Sequence, residues 1–426
     1  MLRSLYSGIS GMRVNQTKLD VIGNNIANVG TTGFKNARVR FQDMLSQNVS
    51  QALAPGVNQG GVNPRQVGLG VQMAGIDTIV SQGMMQPTGR NLDVAVDGDG
   101  YFMVGSGQLP FDNDRAITLN GSEVLDTNGM SISFTRDGSF TLDKSGNLLT
   151  SDGYRVLGYA MGVNGGESSV KYKDGRLESV NFVNTNDLSV KSEGTLVPLV
   201  IPDSISRPAS NFAAGTKMPA SSGNPESSPT ISGLYTGETA VVEVKYTAAS
   251  GEWSWFLNGK EQDNSIKPFV YNGVTIAPAD PAPTTDSMWR QNLYAKSDEP
   301  VKVTTFNIGK DGVISAVLDD GSVSALGQIA MSSFKNPAGL TKLGRNLYEK
   351  SANSGDAIVR SGMNVPADQD NSGGYGDMLQ GMLEMSNVDL AEQFTDMIVT
   401  SRAFQANSKT ITTGDEILQD ILNLKR

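Results

Sequence analysis

Near the C-terminal end, Leu390, Phe394, Met397, Ser401, Phe404, Ser408, Ile411, Asp415, Leu418 and Leu422 follow an unbroken alternation of four and three residues. That spacing is the heptad seam of a helix packed lengthwise on another helix. The other end keeps the same rhythm at Leu2, Leu5, Ile9, Met12, Gln16, Leu19, Gly23 and Ile26, and no proline occurs before Pro55 or after Pro366. Both ends are expected to form long amphipathic helices. Each apolar stripe is narrow, and burying it returns less free energy than ordering the helix costs. The two helices therefore need partners. They can pair with each other, but the interruptions at Gln16, Gly23, Ser401, Ser408 and Asp415 leave that pair marginal, so further copies of the chain are expected to complete the layer. A helical hairpin capping an ordinary globular domain is the competing reading.

Between these ends lies a different kind of sequence. A length of 426 residues suggests about three domains. With 48 glycines and 18% charged residues, the middle reads as folded, turn-rich and β-heavy. Asp-Gly and Asn-Gly pairs at 97–98, 99–100, 120–121, 128–129, 137–138 and 152–153 punctuate short β-rich runs such as Leu92 to Val96 and Ser139 to Leu142. These dipeptides favour tight hairpin turns. From Gly166 to Ser297 the composition shifts, and Thr239 to Tyr246 and Trp253 to Leu257 flank a turn at Ser250-Gly251, which predicts a second β-domain with one wet face. Residues 37–70 and 352–376, rich in Gly and Asn, read as partly extended connectors.

The motifs within this frame resemble the axial proteins of the bacterial flagellum, the rod and hook subunits. The likeness is carried by Leu19-Asp20-Val21-Ile22-Gly23-Asn24-Asn25-Ile26-Ala27-Asn28 with Thr32-Gly33-Phe34-Lys35, by Thr88 to Val96 before Gly100-Tyr101-Phe102, by Thr135-Arg136-Asp137-Gly138-Ser139-Phe140, and by Phe334 to Leu340. Phe41-Gln42-Asp43-Met44-Leu45 is similar to the segment through which subunits of this family engage the export gate, with Phe41 and Leu45 as its anchors. The plain alternative is that Phe41 and Leu45 share a helical face at i and i+4.

The expected fold is mixed α and β and multidomain: terminal helices pairing as a coiled-coil-like layer, with two mainly antiparallel β-domains inserted between them. The expected boundaries are 1–70 for the first helix and connector, 71–165 and 298–349 for the inner β-domain, 166–297 for the outer insertion, and 350–426 for the second connector and helix. The assembly residues are Leu2, Leu5, Ile9, Met12, Leu19, Ile26, Leu390, Phe394, Met397, Phe404, Ile411, Leu418 and Leu422. The resemblance implies a secreted structural subunit that polymerises with itself. Its implied partners are rod and hook-filament junction proteins, a hook cap and the type III export apparatus, and its place is the hook outside the cell. The long insertion favours hook over distal rod. Glycine pairs Gly60-Gly61 and Gly373-Gly374 are expected to supply compliance.

Other chemistries find little support. There is no cysteine and no histidine, which removes disulfides and Ser-His-Asp or Cys-His nucleophilic catalysis. A net charge of -10 argues against nucleic acid or an anionic membrane as partner, no stretch is apolar enough to span a bilayer, and Met1 to Gly8 lacks a secretory signal's apolar core. No cofactor is expected. Asp368, Asp370, Ser372 and Gly373 imitate a calcium loop, but Leu379 stands where its bidentate Glu belongs. Asp93, Asp97 and Asp99 read as a hairpin turn. Met378, Met382, Met385 and Met397 read as packing in or beside the C-terminal seam. The reading from a different class is a secreted β-rich adhesin or carbohydrate-binding protein, with Trp253, Trp255 and Phe256 as a sugar platform.

Overall fold

The computed structural model describes residues 2–52, 54, 60–107, 117–120, 123–126, 129–163, 168–173, 176–185, 190–206, 211–218, 220–222, 228–237, 240–262, 268–279, 282–283, 285–293, 300–360 and 376–424. The chain divides into two compact units, Met1–Met84 with Met385–Arg426, and Met85–Glu384. The boundary thus falls at residues 84 and 385 rather than at 70 and 350.

The first unit holds both long helices, α1 (Leu2–Ala27) and α2 (Leu390–Leu424). Asp389 caps α2 with its carboxylate, Oδ1 accepting the backbone N–H of Ala391 at 2.8 Å and of Glu392 at 3.3 Å. The expected connector after α1 is instead an antiparallel ribbon. Strand β1 (Ala37–Asp43) pairs with β4 (Val71–Thr78), and β2 (Ser46–Ser50) pairs with β3 (Arg65–Gly68). Hydrogen bonds from Met44 N to Gly70 O and from Leu69 N to Leu45 O join the two ladders into one. A composition rich in Gln, Asn and Gly conceals this ribbon because its side chains are mostly exposed, so it lacks the apolar alternation of a half-buried strand. Gly60-Gly61 belongs to this ribbon's distal part and not to the crossings between units, while Asp368, Asp370, Ser372, Gly373 and Gly374 lie outside the described residues.

The second unit is built from antiparallel strands with two cores. The larger core centres on Phe102, Val104, Phe140, Leu148, Val156, Leu199, Ile314, Leu326 and Ile329, all buried. Its organising strand, Arg155–Val163, pairs with Val190–Pro198, with Val323–Ile329 and with Tyr101–Ser106. Gly153 takes φ 84°, the left-handed turn conformation its Asp-Gly pair suggests. Gly138 is needed for a different reason: a Cβ there would overlap the carbonyl oxygen of Val94. Val170, Tyr172 and Val180 also belong to this core, so the outer insertion begins later than residue 166. It comprises two sheets between Asn211 and Leu293 that enclose Trp253, Trp255, Trp289, Ile231, Val242 and Val244. The hairpin at Ser250-Gly251 and its alternation are as expected, with Tyr246 opposite Trp253 and Val242, Val244 and Tyr246 facing inward. Trp253 and Trp255 are 6% and 0% exposed, so they fill a core and offer no sugar platform.

The returning chain is stitched to the start of this unit. Asp377–Gln380 pairs with Val94–Asp97, and Met382–Glu384 with Met85–Pro87. Met378 is buried in the larger core and Met382 sits on a strand, so the methionines are not gathered on the helical seam as expected. Asp93 accepts the hydroxyl of Thr88 at 2.7 Å and lies 3.4 Å from Arg90, a turn lock rather than a metal cluster. The last residue of the unit, Glu384, forms a buried ion pair with Arg136 at 3.2 Å, their side chains 0% and 2% exposed. Arg136 also donates to the carbonyls of Val96 and Gly98 and lies over the Tyr101 ring. Burial pushes the Tyr101 phenol up to about 12, Arg136 opposing and Glu384 reinforcing the shift, so it stays protonated at neutral pH. Breaking one partner strands a buried charge. Glu384→Gln is expected to lower stability in urea unfolding, followed by circular dichroism, by about 3–5 kcal/mol, whereas the double change R136M/E384L stays near wild type. An E384Q protein as stable as wild type would show that the pair contributes nothing.

Candidate assembly interface

The two helices pack antiparallel, with glycines of each helix facing larger side chains of the other. Leu5 lies against Gly414, Gly8 against Ile411 and Gly11 against Asn407. A Cβ at Gly11 would sit 2.7 Å from Asn407 Nδ2, and one at Gly414 2.8 Å from Leu5 Cδ2, so the backbones approach because these residues have no side chain. Further along, Lys18 pairs with Asp396 at 3.4 Å, and buried Asn25 donates to Gln393 Oε1 at 3.0 Å. Gln393, Met397, Thr400, Phe404, Asn407, Ile411, Gly414 and Leu418 of α2, again spaced by four and three, are buried or half-buried, and Asp396, Ser401, Ala403 and Ser408 beside them are half-buried too. Of the expected seam, Leu390, Phe394, Asp415 and Leu422 are exposed.

A polar clasp closes the pole where α1 ends. Asn25 donates to Ala37 O at 2.8 Å and accepts Ala37 N–H at 3.1 Å, turning the chain from helix into ribbon. Asn387 accepts Asn36 N–H at 2.8 Å and donates to Ile79 O at 2.9 Å and Ser81 O at 3.1 Å. Lys35, 1% exposed, donates to the same Ser81 carbonyl at 2.9 Å. One asparagine thus satisfies three backbone groups from two separate parts of the chain. Asn25 and Lys35 stand in the sequence motif but carried no assigned role there, and Asn387 and Gln393 went unnoticed. The available signal was amide side chains at helix ends, where they can replace missing backbone partners.

The expected assembly residues fall into two groups. Leu5, Met12, Leu19, Ile26, Met397, Phe404, Ile411 and Leu418 are half-buried beside the intramolecular seam. Ile9, Leu390, Phe394 and Leu422 are exposed, Phe394 by 50% and Leu422 by 66%, and the side chain of Leu2 lies outside the described residues. Tyr6, Ile398, Val399, Ile417 and Ile421 join the exposed set. So many large apolar side chains on one helical hairpin exceed what a solitary surface carries by chance. Phe41 and Leu45 lie on the extended ribbon and not on a helix, which removes the shared-helical-face alternative. Phe41 stands opposite Met73 just past a bulge and lines a cavity with Ser7, Gly11, Val14 and Val71 of the same unit; Leu45 is exposed. Among the described residues no group of three or more acidic side chains converges on a point that could hold a metal, and no helix is long and apolar enough to cross a membrane.

Comparison with known proteins bears on this surface directly. The profile described as flagella basal body rod protein matches residues 5–35, the flagellar hook protein FlgE/F/G D1 domain matches 122–198, and the flagellar basal body rod FlgEFG protein C-terminal matches 379–424. The first covers most of α1 with Lys35, and the last covers Asn387 and the whole of α2. The flagellar hook protein FlgE of Treponema pallidum is 34% identical, with 100% of both chains covered. The flagellar basal-body rod protein FlgG of Bacillus subtilis is 34% identical at the same coverage, and the hook protein FlgE of Escherichia coli 28% identical with 98% of each chain covered. Matched over its full length by hook and rod proteins at 34% identity, the chain belongs to the flagellar hook and basal-body rod protein family.

Proposed function

We infer that the chain is the structural subunit of the flagellar hook, polymerising into a hollow flexible tube that works as a universal joint between motor and filament. The observation that carries this reading is the uncovered apolar surface of α1 and α2. A hairpin whose own seam is made of Gly8, Gly11, Asn407 and Gly414 keeps its larger apolar side chains free for other copies. Between copies these helices form a coiled-coil-like layer, close-packed and so resistant to twisting out of register. That layer transmits torque. The β-body, a separate compact unit spanning Met85–Glu384, varies its contacts as the tube bends.

Export through the type III apparatus with Phe41 and Leu45 as contacts, and end-to-end association with rod, cap and hook-filament junction proteins, complete the proposal. A second reading, the distal rod, draws on the equal identity to the Bacillus subtilis rod protein. Electron microscopy of the purified polymer separates them: curved tubes are expected for a hook, and straight rigid rods would favour the alternative.

Three measurements test the helical layer. Amide hydrogens of α1 and α2 are expected to exchange in the free subunit far faster than those of Phe102 and Val156, and to become protected on polymerisation; equal protection in the free subunit would contradict the reading. Removing the last residues from Asp415, including Leu418 and Leu422, is expected to abolish polymerisation while leaving tryptophan emission unchanged, because Trp253, Trp255 and Trp289 all lie in the outer core. Phe394→Asp, at an exposed position, is expected to raise the concentration needed for tube growth about tenfold or more without loss of subunit stability.

A further inference from the structure

We propose that a recess in the helical unit, where the end of α1 and the start of α2 meet the root of the ribbon, receives the guanidinium of Arg402 from a second copy. The inference rests on the polymer proposed above and adds to it one specific contact.

The recess is a cavity of about 210 Å³. Buried Ile22, Asn36 and Gln393 line it, together with the charged side chains of Lys18, Arg38, Glu392 and Asp396. A water molecule's share of the liquid is about 30 Å³, so the space accommodates the end of a long side chain.

Asn36 is the group that the subunit leaves unsatisfied. Its backbone N–H is held by Asn387, but the side chain, 8% exposed, has no hydrogen-bond partner for Oδ1 among the described residues. A buried acceptor without a donor is a standing cost that an incoming donor removes. The surrounding charges define that donor. Lys18 is taken by Asp396 at 3.4 Å, and Arg38 lies 3.8 Å from Asp77. Glu392 has no cationic partner among the described residues; its place in the first turn of α2 keeps it favourable as an anion through the helix dipole alone. One carboxylate and one amide oxygen, both acceptors, select a cation with several N–H groups. A guanidinium offers five, in a planar fork.

The donor comes from the surface that the hairpin leaves uncovered. Ile398 and Val399, 62% and 58% exposed, precede Arg402 by four and three residues and share its face of α2. Arg402 donates to the neutral Gln405 Oε1 at 3.1 Å, and no carboxylate pairs with it among the described residues. A copy that covers Ile398 and Val399 takes this guanidinium into the same contact, where it needs acceptors as it loses water. Within one chain, Arg402 stands about 15 Å along α2 from Glu392, too far to fill its own recess. Recess and arginine are different surfaces, so the contact is heterologous and can repeat along a filament.

The absence of cysteine makes crosslinking specific. Full-length chain carrying Glu392→Cys and Arg402→Cys, assembled at high concentration and treated with a bis-maleimide too short to join the two positions within one helix, is expected to give a ladder of covalent oligomers that neither single variant gives. Glu392→Gln and Arg402→Gln are each expected to raise the concentration needed for tube growth about tenfold, and the double variant no further than either alone. Lys409→Gln, at another exposed cation of α2, is expected to leave it unchanged. Asn36→Leu is expected to leave the free subunit at least as stable in urea while raising that concentration about tenfold. Independent effects of E392Q and R402Q, an effect of K409Q equal to that of R402Q, tube growth indifferent to N36L as for a recess that holds only water, or tubes without a ladder would each overturn the contact and leave the polymer standing. Failure of the unmodified chain to form tubes would overturn both.

Discussion

The close approach of α1 and α2 over glycine governs what the rest of the molecule can do. At Gly8, Gly11 and Gly414 the facing side chains of Ile411, Asn407 and Leu5 fill the space a Cβ would take, so the helices pack closely along a narrow strip. Other large apolar side chains, Phe394, Ile398 and Leu422 among them, stand outside that strip. A chain that buried Phe394, Ile398 and Leu422 in its own hairpin would be a stable monomer with nothing left to offer. This one forms a narrowly packed pair whose hydrophobic free energy is held over for association.

The same division between internal fit and external surface recurs at the unit's pole and in the β-body. Asn25, Lys35 and Asn387 satisfy backbone groups that the turn from helix to ribbon would otherwise leave unpaired. Arg136 and Glu384 do the corresponding work where the returning strand ends, the guanidinium also donating to the carbonyls of Val96 and Gly98. Both clusters join segments far apart in sequence, so losing one partner leaves the other buried without its match.

Much of this was legible in the sequence, and the failures have physical causes. The four-three rhythm located both helices, and the Asp-Gly and Asn-Gly pairs located turns. The apolar stripe and the contact seam overlap without coinciding: Ser401 and Ser408 are half-buried, whereas Phe394 and Asp415 are exposed, because large apolar side chains are also kept on the outer face. Gly8 and Gly11 lie in the helix contact itself, whereas nothing stands within 4 Å of where a Cβ of Gly23 would be. The ribbon was missed because strand formation there rests on backbone pairing, which composition does not display. Likewise Val170 and Tyr172 joined the inner core through long-range pairing and not through any local signal.

One feature of the chain path reaches beyond mechanics. The helical unit closes on itself at Met84 and Met385, where the N–H of one residue meets the carbonyl of the other at 2.9 Å. Everything between these two positions hangs from a single paired doorway. Lineages could therefore exchange, enlarge or prune the inserted body without retuning the helices, so ornament and scaffold are free to evolve at different speeds.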